Sequence, residues 1–314
     1  MLVPVHTVPS GTGDEEAIAS AADWIAARTE PATPLPPVEV VEVWATDGAL
    51  LTGYLWGPPG ATDVVAYVYG MGTVALRAFA GTQAPVYAAE GVATLALDLR
   101  RAGRGGLAVS TPANDVDDID AWVRFLAGRG FRRIITAGHS LGSIGVTLQQ
   151  VRAPHPNVVA NVHFAPTEDC PPWARRGLGN ERYTEVVGEA RRAVAEGRGQ
   201  TALVDADYRV PEPDQYRHPA RHFQRAESWL AWWGPEGPVH SEEIGKVSVP
   251  ILLLAGSDDT FNTPARMDLL KARAVSSPAV ATRWYTGCNH AFDGFERQTA
   301  RDVIAWARQV GALG

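Results

Sequence analysis

Cysteine is scarce in this chain of 314 residues, which contains only Cys170 and Cys288. Two thiols cannot form the disulfide network that holds together a small secreted domain, and a reducing compartment is the simple interpretation. Both cysteines lie near predicted strand ends, so a bond between them is one alternative. We expect two separate packed thiols, because a buried free cysteine behaves as a small apolar side chain.

Clustered positive charge and long apolar runs are also lacking. The formal net charge is −7, and lysine and arginine form no basic block. Nucleic acid is therefore not an expected partner, since phosphate binding requires clustered basic residues. No apolar run approaches the roughly 18 residues that a membrane-spanning helix requires. The N-terminus "MLVPVHTVPSGTGDEE" has no basic residue and no long apolar stretch, unlike a secretory signal. We expect a cytoplasmic protein without a membrane partner.

Signatures of metals and phosphate-bearing cofactors are missing too. No group of His, Cys and Asp has metal-ligand spacing, and there is no G-x-x-x-x-G-K-[ST] loop. We therefore expect neither a metal nor a cofactor, and a small molecule as the partner. Homo-oligomerisation is left open.

The chain is long enough to bury a large core, and 46% of its residues are hydrophobic. We predict that residues 1–37 form an N-terminal segment outside the main domain. The spacing of Thr12 and Glu15 predicts a helix over 12–28, and a proline-rich linker follows. Two strand-like stretches, 38–45 and 50–57, flank Asp47-Gly48, which is a hairpin signal.

Beyond the hairpin, short apolar runs alternate with stretches of helical period. This rhythm predicts a parallel sheet covered by helices on both faces. It is lost between about Cys170 and Lys246 and then resumes. We therefore predict an α/β core over 38–169 and 246–314, interrupted by an insertion over 170–245.

Ser140 lies between a predicted strand and a predicted helix, within Gly138-His139-Ser140-Leu141-Gly142. The pattern G-x-S-x-G suits a nucleophile, because a sharp strand-to-helix turn requires neighbours without side chains. At a helix N-terminus, free N–H groups would also favour developing negative charge. The alternative is an ordinary turn in which Ser140 caps the helix.

Two later strand ends carry the groups that a serine nucleophile needs. Asp258 and Asp259 follow the strand "LLLAG", and His290 follows the last strand. Histidine suits the role of base near neutral pH, and a carboxylate could accept its ring N–H. The alternatives are a solvated turn for the aspartates and a surface or core position for the histidine.

In these motifs the chain resembles the α/β-hydrolase family. "AGHSLGS" resembles its nucleophile elbow, and the order of nucleophile, acid and histidine is that of the family. "GSDD" resembles its G-x-x-D acid loop, which implies Asp259, and "GCNH" resembles its histidine loop. "DLRRAGRGG" is similar to the family's D-x-R-G-x-G-x-S stretch, without the final serine. The resemblance implies an α/β-hydrolase fold with a helical cap inserted after the sixth family strand.

The oxyanion hole departs from the family pattern. Where relatives often have His-Gly, this chain has Tyr69-Gly70-Met71-Gly72. The backbone N–H groups of Met71 and Leu141 are the favoured donors, and the Tyr69 phenol is a second candidate.

Several other residues have two interpretations. His139 adjoins Ser140 and is expected to pack the elbow, whereas Glu168 or Asp169 could replace Asp259 as the acid, as in some relatives. Four scattered histidines are expected at the surface, with substrate contact as the alternative: His163, His218, His222 and His240. Three tryptophans of the insertion form either the core of the cap or the wall of an apolar pocket: Trp229, Trp232 and Trp233.

The resemblance implies a carboxylesterase-like serine hydrolase that cleaves a carboxylic ester, lactone or thioester of a small apolar substrate through an acyl-enzyme. A lyase, C–C-bond-cleaving enzyme or acyltransferase on the same fold is the alternative. A non-catalytic binding protein is less favoured, because all three triad positions are occupied.

Overall fold

An eight-stranded sheet lies at the centre of the computed structural model, which describes residues 37–71, 73–75, 79–102, 106–208 and 220–314. The strand order is β1-β2-β4-β3-β5-β6-β9-β10; β2 is antiparallel to both neighbours, and the other neighbouring pairs are parallel. The strands of this sheet are β1 (Val38–Trp44), β2 (Leu50–Trp56), β3 (Asp63–Val68), β4 (Ala93–Leu97), β5 (Arg133–His139), β6 (Val158–Phe164), β9 (Ile251–Gly256) and β10 (Val280–Tyr285). The predicted fold class is confirmed, whereas the predicted N-terminal helix lies outside the described residues.

In the described residues, the helices outside the insertion are α1 (Ala80–Ala89), α2 (Pro112–Gly128), α3 (Leu141–Arg152), α8 (Pro264–Arg273) and α9 (Glu296–Gln309). The short α7 (His240–Glu243) lies at the end of the insertion and continues as a 3₁₀ turn over Ile244–Lys246. A capping box at Thr111 and Asn114, with a proline at the next position, fixes where α2 begins.

Alternate residues of β3 show how helices cover both faces of the sheet. Val64 packs in one apolar cluster with Trp122 of α2, and Val65 packs in another with Trp306 of α9. All six residues of β3 are buried. This burial on two sides explains why the central strands appear in the sequence as continuous apolar runs.

The insertion between β6 and β9 contains helices and a strand pair. Besides α7, its helices are α4 (Cys170–Leu178), α5 (Asn180–Ala195) and α6 (Ala226–Trp233), and its strands are β7 (Leu203–Tyr208) and β8 (Ala220–Arg225). β7 and β8 form a separate antiparallel ribbon. The insertion expected as a helical cap thus contains a strand pair besides its helices, and this pair was not predicted because "LVDADY" is too short and too polar to signal a strand by periodicity.

Both cysteines are buried and unbonded to each other, as expected of separate packed thiols. Within the described part of the chain, the helices are too short or too polar for any of them to cross a bilayer.

A pair of stacked histidines lies where β6 meets the insertion. The rings of His163 and His240 are 5.3 Å apart and nearly parallel. Both are completely buried, which corrects the expectation of surface positions. Burial is the main cause that lowers the pKa of His240 to about 3 and that of His163 well below its ordinary value. Among the described residues, neither ring nitrogen of His163 has a hydrogen-bond partner. With its pKa lowered by burial, the ring is neutral in the native protein near neutral pH.

We predict that His163 makes the protein acid-labile. Its native pKa lies below the value of 6.5 for an unperturbed histidine, so the unfolded chain binds the proton first and stability falls as the pH drops below 6.5. Each such histidine costs about 2 kcal/mol of unfolding free energy at pH 5. Between pH 7.5 and pH 5, the free energy of unfolding in urea should therefore fall by about 2 kcal/mol less in His163→Leu than in the unmodified protein. His155→Gln, outside the pair, is the control; equal pH dependence in both variants would contradict the prediction.

Candidate active site

Ser140 occupies a strained turn between β5 and α3. Its φ of 53° and ψ of −123° lie outside the regions that non-glycine residues ordinarily adopt. A Cβ atom at Gly138 would overlap the carbonyl oxygen of Gly142, and one at Gly142 would overlap that of Val68. The two glycines therefore permit the turn by close approach. The Ser140 side chain makes no capping hydrogen bond to α3, which disfavours the interpretation as a helix cap.

His290 and Asp259 are in contact. The His290 Nδ1 and Asp259 Oδ2 atoms are 3.0 Å apart, and Asp259 is 3% exposed. Burial by itself would raise the pKa of Asp259, but hydrogen bonds from His290, Asn262 and the Phe261 N–H hold it below its ordinary value. An ionised Asp259 fixes the ring orientation of His290 through Nδ1 and makes Nε2 the nitrogen that can accept a proton.

His139 connects the serine turn to the histidine loop. Its Nε2 lies 2.9 Å from the carbonyl oxygen of His290, and the two rings are 4.9 Å apart. Burial, followed by the nearby His290, lowers the pKa of His139 to about 3, so the ring is neutral. Because a carbonyl can only accept a hydrogen bond, His139 Nε2 carries the proton. The residue adjacent to Ser140 thus holds the backbone of His290.

The alternative acids have other partners. Asp169 accepts hydrogen bonds from the Ser241 N–H and hydroxyl and from Arg266. Glu168 pairs with Arg176, and Asp258 accepts from the hydroxyl of the adjacent serine. Among these carboxylates, the described contacts with His290 involve Asp259, which favours it as the acid.

Gly70 brings the candidate oxyanion loop against the serine. A Cβ atom built on Gly70 would lie 2.8 Å from the Ser140 Cβ and 3.3 Å from its Oγ. Met71 is the next residue, so its N–H belongs to a peptide beside Ser140. Leu141 is the first residue of α3, and its N–H has no acceptor within that helix.

Tyr69 lies in the aromatic core beneath this loop. Its ring is 6.2 Å from that of Tyr67 and 6.0 Å from that of Phe79, and its hydroxyl oxygen accepts the Ala80 N–H at 3.3 Å. Burial raises the pKa of the Tyr69 phenol well above its ordinary value. Because the Tyr69 hydroxyl is hydrogen-bonded at the start of α1, the Met71 N–H is favoured over it as the oxyanion donor.

The three tryptophans are packed in the interior of the insertion. Trp229, Trp232 and Trp233 are at most 4% exposed, and they share an apolar cluster with Leu141 of α3. The Trp232 and Trp233 indole N–H groups donate to the Ser110 carbonyl oxygen and to Gln224 Oε1, respectively. This arrangement favours the interpretation as the core of the cap. Among the described residues, no three His, Cys, Asp or Glu side chains could hold a metal ion.

Sequence reasoning missed two residues that contact the Asp259–His290 pair. Asn262 donates to Asp259 Oδ2 at 2.8 Å, and the Phe261 ring is 4.9 Å from that of His290. Their position within "DDTFN" was the available signal, because the turn after an aspartate brings the next few residues back towards its carboxylate.

Known proteins share the fold of this chain. A model of the Alpha/beta hydrolase family matches residues 59–305. The chain therefore belongs to the α/β-hydrolase family. No curated protein sequence matches it significantly.

Similar solved structures show the same fold at low sequence identity. Est1E from Butyrivibrio proteoclasticus is 18% identical with a TM-score of 0.62, over 87% of this chain and 99% of the other. The Pyrococcus furiosus esterase Pf2001 is 16% identical with a TM-score of 0.59, over 87% and 91%. A puromycin-hydrolyzing peptidase of Mycobacterium tuberculosis is 14% identical with a TM-score of 0.60, over 89% of this chain and 40% of the other.

We predict that Asp259, and not Asp169, supports the base. Asp259→Asn removes the charge that stabilises protonated His290 and should lower kcat for p-nitrophenyl acetate by about 10³-fold or more. Asp169→Asn, which alters a partly buried carboxylate bound to Ser241 and Arg266, should keep kcat close to that of the unmodified protein. An inactive Asp169→Asn alongside an active Asp259→Asn would reverse the assignment.

We predict that the Tyr69 hydroxyl is dispensable for turnover. Tyr69→Phe removes the hydroxyl but keeps the ring in its stack, so kcat for the same ester should stay within a few-fold, whereas loss of an oxyanion donor costs about 10² to 10³-fold. Tyr67→Phe, in the same aromatic core, is the matched control. A loss of that size in Tyr69→Phe alone would show the phenol to be the donor.

Proposed function

We propose that this protein is a serine hydrolase that cleaves carboxylic esters through an acyl-enzyme. The observation that carries the proposal is the His290–Asp259 contact of 3.0 Å, joined through His139 to the strained turn of Ser140. A serine hydroxyl is a weak nucleophile until a base takes its proton. Hydrogen bonds join Asp259 to His290 and His290 to His139, which adjoins Ser140, and this chain of contacts supports the proposal.

In the proposed first half-reaction, Ser140 Oγ attacks the ester carbonyl carbon while His290 Nε2 accepts the hydroxyl proton. Asp259 stabilises the imidazolium that results. The N–H groups of Met71 and Leu141 donate to the oxyanion of the tetrahedral intermediate. Collapse of the intermediate breaks the ester C–O bond, and His290 returns the proton to the leaving alcohol.

In the second half-reaction, water replaces the alcohol. His290 accepts a proton from the water as its oxygen attacks the acyl carbon, and Ser140 leaves with that proton. Lactones and thioesters present the same carbonyl carbon and are accepted as alternative substrates in this proposal.

The insertion is proposed to act as a cap that bounds a pocket for a small apolar substrate. Its apolar cluster includes Leu141 and Ile144 of the helix that follows the nucleophile, and the half-buried side chain of Met71 packs against it. These contacts bring the insertion to both candidate oxyanion residues. Phe261 adds an apolar surface beside His290. A cytoplasmic location belongs to the same proposal.

We predict that a fluorophosphonate probe labels the protein once, at Ser140. Intact-mass measurement should show one adduct, and Ser140→Ala should show none, because only an activated serine reacts. Ser143→Ala is the control, since the hydroxyl of Ser143 lies one helical turn away and is bonded to the Ser140 carbonyl oxygen. An absent adduct, or one that survives in Ser140→Ala, would contradict the proposal.

A panel of aryl esters of increasing acyl length, with lactones and thioesters included, would then define the substrate. A preference for longer acyl chains supports an apolar pocket. Labelling of Ser140 with negligible turnover across the panel would instead favour a lyase, a C–C-bond-cleaving enzyme or an acyltransferase.

A further inference from the structure

Arg101 is a buried cation that holds the loop beside the nucleophile. Its side chain is 2% exposed and lies just beyond the end of β4. Nη2 donates to the Tyr69 carbonyl oxygen at 2.7 Å, and Nη1 donates to the Gly70 carbonyl oxygen at 2.9 Å. The third nitrogen, Nε, lies 2.7 Å and 2.9 Å from the two carboxylate oxygens of Asp115. All three nitrogens of the guanidinium are thus engaged.

The partner carboxylate fixes the position of this cation. Asp115 lies in the first turn of α2 and is completely buried. A buried ion pair gains little net stability, because removing two charges from water offsets their attraction. What such a pair does supply is geometry: the planar guanidinium presents its donors in a rigid fork. Here two prongs of that fork end on successive backbone carbonyl groups of a glycine-containing loop.

Trans peptide geometry transmits this constraint to Met71. The described chain contains no cis peptide bond, so the Gly70 C=O and the Met71 N–H belong to one trans peptide and point in opposite directions. Since the Gly70 oxygen is bonded to Arg101, the Met71 N–H is directed away from Arg101. Gly70 also approaches Ser140, whose Oγ would lie 3.3 Å from a Cβ on Gly70.

We propose that Arg101 is a positioning residue for the oxyanion hole, which aims the Met71 N–H at the substrate carbonyl oxygen by clamping the carbonyl groups of Tyr69 and Gly70. The inference rests on the proposed function, since an oxyanion arises only if Ser140 attacks a carbonyl carbon. A charge-assisted hydrogen bond to the Gly70 oxygen also polarises the peptide and strengthens its N–H as a donor. Glycine neighbours alone would leave this peptide free to rotate.

The test compares Arg101→Lys with Arg100→Lys. Lysine keeps the charge next to Asp115 but cannot donate from two rigid prongs to two carbonyl groups. Arg100 is a matched control, because it also pairs with a carboxylate of α2, Asp118, and its other described bonds go to Asp47 and Asp117. Measurements are kcat and KM for p-nitrophenyl acetate and the Ki of an aryl trifluoromethyl ketone, whose serine adduct carries an oxyanion.

Arg101→Lys should lower kcat by about 10²-fold and weaken the ketone by a similar factor, with KM within about threefold, because the lost interaction exists only in the transition state. Arg100→Lys should leave all three values within about threefold. Thermal unfolding of each variant measures the structural effect of the substitution. A purely structural role would lower Tm without lowering kcat selectively over KM.

If Arg101→Lys does not fold, the double variant Arg101→Met with Asp115→Leu replaces the ion pair by apolar side chains and should show the same loss of kcat. Equal kinetics of the Arg101 variant and Arg100→Lys would overturn the inference while leaving the serine hydrolase intact. Absence of fluorophosphonate labelling in the unmodified protein would instead overturn the proposed function, and the inference with it.

Discussion

The backbone strain at Ser140 is the constraint around which the site is arranged. A serine with φ of 53° persists only where its surroundings determine it, and here they do so by close contact. The start of α3 lies so close to the ends of β5 and β3 that neither Gly138 nor Gly142 has space for a side chain. The same approach places the end of β3, and therefore Gly70, against the serine. The close packing around the start of α3 thus sets both the strained turn of Ser140 and the distance between Ser140 and Gly70.

The buried charged side chains described near this turn, Asp259, Asp115 and Arg101, all have hydrogen-bond partners. Asp259 accepts from a ring N–H, an amide and a backbone N–H, and Asp115 faces the Arg101 guanidinium. Such groups are costly to remove from water unless their hydrogen bonds are satisfied. Each therefore constrains the segments it joins, and the constrained segments are the acid loop, the histidine loop and the loop beside Ser140.

Much of the fold could be predicted from the sequence, because strand and helix periods are local signals. The continuous apolar runs of β3, β5 and β9 and the hairpin at Asp47-Gly48 appear as predicted. The choice between Asp259 and Asp169 could not be made from periodicity, since it depends on which loop reaches His290. Contacts between residues distant in sequence were missed for the same reason, as with the stacking of His163 on His240. The Arg101–Asp115 pair could not be predicted either, because nothing in the sequence of either segment signals that the loop after β4 folds back onto α2.

The tryptophan-rich core of the insertion has a consequence for how the molecule could be shortened. Its cluster is continuous with Leu141, Ile144 and Leu148, so α3 completes the interior of the insertion. A backbone hydrogen bond also joins the insertion to the core, since the Arg225 N–H donates to the Ala108 carbonyl oxygen. A truncated enzyme made by joining β6 directly to β9 would leave the apolar side of α3 in water. Loss of the whole insertion would therefore expose Leu141, Ile144 and Leu148 and remove much of the packing that holds the helix after Ser140.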